Sequence, residues 1–111
     1  MNKLLFSPEA VNDLDEIWTY INNELQNPAA AKKIVADILD AIEKLQDFSE
    51  LGPPLSSITE FEGDYRFLVC GKYIVFYRVM GLDVHIDRVL YGRRNYISIL
   101  FATLQNDVDS E

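Results

Sequence analysis

The sequence predicts an α+β domain: an N-terminal strand and an antiparallel two-helix hairpin packed on a three- to four-stranded antiparallel sheet. Three observations predict it. Residues 65–91 hold three runs rich in β-branched and aromatic residues, YRFLVC, YIVFYRVM and VHIDRVLY, separated by Gly71-Lys72 and Gly81-Leu82-Asp83, the pattern of a meander. Residues 7–48 instead carry apolar side chains at steps of three and four, the period of a helix. A block of helices followed by a block of strands segregates the helices to one side of an antiparallel sheet.

The chain opens on the apolar run Leu4-Leu5-Phe6, stopped by Ser7-Pro8-Glu9, which supplies an N-cap, a proline at the first helical position and an acid in the first turn. Val11, Leu14, Ile17, Trp18, Ile21 and Leu25 then form one stripe, with Asn12, Asp13, Asp15, Glu16, Asn22 and Asn23 on the other face. The helix stops ahead of Pro28, because a residue before proline is pushed out of the α region. Asn27-Pro28 starts a second helix, with the stripe Ala31, Ile34, Val35, Ile38, Ile42 and Leu45, running to about Phe48. So short a connection makes an antiparallel hairpin. Residues 49–64, with Gly52-Pro53-Pro54, form a crossing loop. After the meander, residues 97–104 are read as a short helix or strand-like arm. Residues 1–104 thus make one domain and 105–111 a frayed acidic tail. In the last strand the alternation slips between Asp87 and Val89, which leaves the inward or outward facing of Arg88 open.

Composition narrows the function classes. A chain of 111 residues, 49% hydrophobic with 13 aromatics, can bury one core. No apolar run is long enough for a membrane span, and the start MNKLLFSPEA turns polar too soon for a signal peptide, so a soluble cytoplasmic protein is expected. The lone Cys70 has no disulfide or metal partner among cysteines and reads as a small core residue. The net charge of −8 argues against a surface that attracts nucleic acid throughout, but it is unevenly spread. Residues 1–64 carry 13 acids and 4 lysines, residues 65–106 carry 6 basic residues and 2 acids, and the last five residues add 3 acids. All five arginines lie between Tyr65 and Tyr96. Such asymmetry can direct different partners to different faces.

The candidate chemistry lies in that basic region. Arg93-Arg94, followed by Tyr96, leaves a strand behind a glycine and is the group least explained by packing. Arg66, Arg78 and Arg88 lie along the strands, where pairing with acids is an alternative fate. His85 is the only histidine; Asp83, His85 and Asp87 fall in line along one strand and would not converge on an ion without further ligands, so no metal site is expected. Tyr73, Tyr77 and Tyr91 read as core or sheet-surface packing.

The segments DLDEIWTYI (Asp13–Ile21), GKYIVFYRV (Gly71–Val79) and VHIDRVLYGRRNY (Val84–Tyr96), in this order and spacing, resemble the RelE/ParE superfamily of toxins from bacterial type II toxin–antitoxin systems, and more closely its ParE branch. The resemblance covers residues 3 to about 101. It implies a cytoplasmic toxin without a cofactor, held in a hetero-oligomer by a cognate, ParD-like antitoxin that wraps along the helices and sheet. Trp18 and Tyr20 are the candidate antitoxin contacts. For the target it implies two activities. ParE-like members poison DNA gyrase, and Arg66, Arg88, Arg93, Arg94 and Tyr96 would then bind the target. RelE-like members are ribosome-dependent, metal-independent endoribonucleases acting on mRNA, and Arg66, Arg94 and His85 would then be catalytic. The ribonuclease pattern has an arginine where this chain has Ile74, and a late tyrosine where it has Leu100. Arginine is also a poor proton shuttle, whereas inhibition by binding needs no relay. Gyrase inhibition is therefore the expected activity, with a non-toxic antitoxin-binding relative as a third possibility. The acidity departs from a family with many basic members, and weakens the ribosomal reading most.

Overall fold

The computed structural model describes residues 2–57, 59–60, 63–92 and 99. Strand β1 (Lys3–Phe6) leads into α1 (Pro8–Thr19), which continues through a π-helical turn at Tyr20–Glu24; α2 (Pro28–Glu43) ends in a 3₁₀ turn at Lys44–Gln46. A further 3₁₀ turn (Leu55–Ser57) precedes β2 (Tyr65–Cys70), β3 (Tyr73–Met80) and β4 (Asp83–Tyr91). The expected α+β architecture and meander are present. The sheet order is β1-β4-β3-β2. Strands β2, β3 and β4 are antiparallel as expected, but β1 runs parallel to β4, from Lys3 opposite Asp83 to Phe6 opposite Ile86, so the sheet is mixed. Parallel pairing needs a long crossover, and the helical hairpin is part of it.

Both helix starts form as their sequences dictate. Ser7 Oγ accepts the Ala10 amide at 3.0 Å and donates to the carbonyl of Asp87 at 2.8 Å, so one hydroxyl caps α1 and fastens it to β4. Asn27 Oδ1 accepts the Ala30 amide at 3.1 Å to start α2. Between them Gln26 adopts a left-handed conformation, φ 50°, which ends the π turn. The second helix stops as α-helix at Glu43, short of the expected Phe48, which is exposed.

Helix α1 and its π turn face the core with a flank that shares Leu14, Ile17 and Ile21 with the expected apolar stripe but is rotated from it. Ala10, Asp13, Ile17 and Ile21 are buried, while Val11 (56%), Trp18 (38%) and Leu25 (57%) are exposed. Asp13, expected on the outer face, is 6% exposed. Its carboxylate is pulled inward by a bidentate arginine and a strand amide, described below, and these charge-assisted bonds decide the rotation of the helix. The buried residues of both helices pack on Val75, Tyr77, Val84, Ile86 and Val89. On the other face of the sheet, Leu55, Tyr65, Phe76 and Leu90 form a second cluster with Phe67, Ile74 and Ile99. The slip expected near Asp87 is a bulge: Phe76 pairs with Arg88 and Tyr77 with Ile86, leaving Asp87 as the extra residue. Val84, Ile86 and Val89 can therefore all face the helices although Leu90 faces away.

Candidate functional site

Each described arginine is engaged inside the fold. Arg88 donates from Nε to Asp13 Oδ2 at 2.8 Å and from Nη2 to Asp13 Oδ1 at 2.9 Å, and the Val89 amide donates to the same Asp13 Oδ2 at 2.9 Å. Strand β1 ends opposite Ile86, so β4 has an open edge beyond it, and Asp13 satisfies an amide there. The hydrogen bonds that Arg88 donates to Asp13 hold its guanidinium above its usual pKa, outweighing the opposing effect of burial. Arg88, expected to reach a target, is thus turned to an internal partner, because a buried carboxylate on α1 requires a counter-charge. Arg78 Nε donates to Asp87 Oδ2 at 2.6 Å and its guanidinium lies 5.5 Å from the centre of the Tyr65 ring. Arg66 Nη1 donates to the Gly52 carbonyl at 2.7 Å, with Nη2 3.9 Å from Glu50. It stays partly exposed beside the loop.

The other expected contacts are placed as follows. His85 is half-buried in β4 between Leu5 of β1 and Arg78 of β3. Asp87 beside it is bound to Arg78, and among the described residues no three His, Cys, Asp or Glu side chains converge as metal ligands. Ile74 packs in the second cluster, so no cation projects from that place on β3. Arg93, Arg94 and Tyr96 lie outside the described residues, as do the Leu100 position and the 97–104 arm apart from Ile99.

One concavity was not read from the sequence. A groove of about 890 Å³ opens between the π turn, the start of α2 and the ends of β2–β4. Ile17, Ile21, Leu25, Ala30, Ile34 and Val89 give it apolar walls; Tyr20, Tyr73 and Tyr91 add phenols; Glu16, Asp37 and Lys72 carry its outer charge. Tyr20 is 54% exposed and lines the groove; Trp18, two residues earlier, is also exposed. Tyr73 and Tyr91 meet edge to face, their ring centres 5.7 Å apart. The signal in the sequence was a surplus: α1 carries more apolar residues than one buried flank needs, and tyrosines end β4 and begin β3.

Burial raises the pKa of the Tyr73 and Tyr77 phenols above the usual 10.0 and that of the Cys70 thiol above 9.0. The neutral forms are favoured by the fold, so the unfolded chain ionises first. Their stabilising contribution is complete below the ordinary values and is lost as pH climbs past them. Urea unfolding at stepped pH should give a midpoint that falls as pH climbs beyond 10.0. Tyr77→Phe should shrink that fall; an undiminished fall would assign it to other groups.

Comparison with known proteins agrees with this architecture. The family model described as "ParE toxin of type II toxin-antitoxin system, parDE" matches residues 4–96. No curated protein gives a significant match. Among solved structures, a chain of the "Chromosomal ParDE TA system from P. aeruginosa" is similar at 27% identity and TM-score 0.69, over 82% of this chain and 96% of that one. With the family model spanning both helices and all four strands, the chain belongs to the ParE toxin family of type II toxin–antitoxin systems.

Proposed function

We propose that this chain arrests growth by binding DNA gyrase and blocking replication, and that a cognate ParD-like antitoxin neutralises it in a cytoplasmic hetero-oligomer. The observation that carries the proposal is the contrast between the committed strand arginines and the open groove. Arg78 and Arg88 are paired with Asp87 and Asp13, and Arg66 with the Gly52 carbonyl, so the described sheet offers a set surface for binding and no assembled acid–base relay. The groove, with apolar walls continuing onto exposed Leu25 and Tyr20, supports docking of an antitoxin segment. Arg93, Arg94 and Tyr96, with Arg66, are proposed as the target-binding group, since arginine and tyrosine dominate binding hot spots.

Expression without an antitoxin should halt growth with a DNA-damage response and gyrase–DNA cleavage complexes, while mRNA remains intact. Ribosome-dependent cuts in mRNA would transfer the activity to the ribonuclease class, and normal growth would leave an antitoxin-binding module without toxicity. The double substitution Arg93→Ala/Arg94→Ala should abolish growth arrest while the urea midpoint and antitoxin binding persist. Full toxicity in that variant would remove the pair from the target-binding group.

A further inference from the structure

The groove has a charge and aromatic bias that apolar docking alone does not require. Three carboxylates line its helical side: Asp13, Glu16 and Asp37. Asp13 is neutralised by Arg88, but the other two are poorly compensated among the described residues. Glu16 accepts a hydrogen bond from the neutral Asn12 amide, and Asp37 pairs with Lys33 in an exposed i,i+4 contact of 3.0 Å, a weak interaction screened by solvent. The field of Asp37 reaches the interior of the groove, where it is the second cause, after burial, of the raised Cys70 pKa. Tyr20, Tyr73 and Tyr91 line the same space, and after burial both Tyr91 and Tyr20 contribute to raising the Tyr73 pKa. Carboxylates and tyrosine faces are the groups that attract a guanidinium or ammonium at a partly dry surface. The single cation of the described lining, Lys72, stands at the strand end of the groove.

Building on the proposal that an antitoxin segment docks here, we infer that the segment is an amphipathic peptide presenting an arginine or lysine to the Tyr20, Tyr73 and Tyr91 phenols between Glu16 and Asp37, and an acid to Lys72. A second copy of the chain suits the groove poorly, because each copy carries a net charge of −8 and brings its own acidic helices. A small molecule filling the groove would leave Val69, 67% exposed beside Gly71 and Lys72, uncovered. A peptide crossing the groove and running on past Lys72 covers it.

The test uses the full chain and two labelled synthetic amphipathic peptides with the same leucine positions, one with arginine and lysine at its polar positions, the other with glutamate. Fluorescence anisotropy at low salt should show the cationic peptide binding at least about tenfold more tightly, with the gap narrowing as salt rises. Glu16→Gln/Asp37→Asn should remove most of this preference. Asp40→Asn/Asp47→Asn, which removes the same charge from exposed positions outside the groove, should keep it. Tyr20→Leu, which retains apolar area, should weaken the cationic peptide about threefold while leaving the urea midpoint unchanged. Equal loss in the two double variants would mean attraction to the overall charge and would overturn the inference, as would tighter binding of the glutamate peptide. A dimer of the chain alone that excludes both peptides would assign the groove to a second copy. The outcome is separable from the toxin reading: growth arrest without a charge preference would sink only this inference, and a charge preference without growth arrest would sink only the toxicity.

Discussion

Asp13→Ala is expected to lower the unfolding free energy by about 3–5 kcal/mol, the range for removing one partner of a buried ion pair. Three donors lose their acceptor together: Nε and Nη2 of Arg88 and the amide of Val89. The guanidinium of Arg88, with 17% of its side chain exposed, loses its bidentate partner, and the open edge of β4 loses the group that satisfied it. Against a total stability on the order of 5–15 kcal/mol, this is a large fraction. Asp13→Asn keeps the shape and one acceptor and should cost about half as much. Replacing both partners, Asp13→Leu with Arg88→Leu, should recover most of the loss, because the penalty arises mainly from an uncompensated buried charge. Urea unfolding followed by circular dichroism measures all three variants. A loss below about 1 kcal/mol for Asp13→Ala would show that water replaces the carboxylate and that the pair is not what orients α1.

Gly52→Ala should cost about 3 kcal/mol, although Gly52 lies in a loop and its conformation does not demand glycine. The reason is space. A Cβ there would sit 2.2 Å from the Phe67 carbonyl oxygen and 2.9 Å from both the Phe67 carbonyl carbon and the Tyr77 hydroxyl. Two of these are backbone atoms of β2 that no side-chain rotation can move, so the loop must lift from the strand. Overpacking of this kind costs about 1–3 kcal/mol. Lifting the loop also breaks the bond from the Gly52 amide to the Tyr77 hydroxyl at 2.9 Å and that from Arg66 to the Gly52 carbonyl at 2.7 Å, each buried or partly buried. Gly92→Ala is the contrasting control: its nearest neighbour, the Lys72 carbonyl, lies 3.3 Å away, and a shift of a few tenths of an ångström relieves it. Thermal unfolding should rank the two variants in that order. Equal melting temperatures would mean that the loop yields freely and does not brace Arg66.

The Asp13 and Gly52 variants share a consequence for function. Both should weaken growth arrest by lowering the folded population of the toxin, whereas Arg93→Ala/Arg94→Ala should abolish it with the fold intact. Measuring stability beside toxicity therefore separates residues that shape the surface from residues that meet the target.

What the sequence determined by itself is what short-range chemistry controls. The caps at Ser7 and Asn27 with their prolines, the turns at Gly71 and Gly81, the antiparallel order of the three consecutive strands and the slip in alternation near Asp87 all depend on neighbours a few residues apart. The family resemblance rested on the same segments and is matched over residues 4–96. What only the tertiary structure decided are the outcomes that join distant residues. Asp13 and Arg88 are 75 positions apart, and nothing in the helical period shows that a carboxylate with apolar neighbours will turn inward. Their pairing chose which flank of α1 is buried, left Val11, Trp18 and Leu25 outside and removed one arginine from the accessible set. The parallel pairing of β1 with β4 and the groove beside the hairpin have the same origin, because each exists only where separate elements meet. Periodicity shows that a helix has an apolar side, but the electrostatic free energy of a buried charge decides which side faces in.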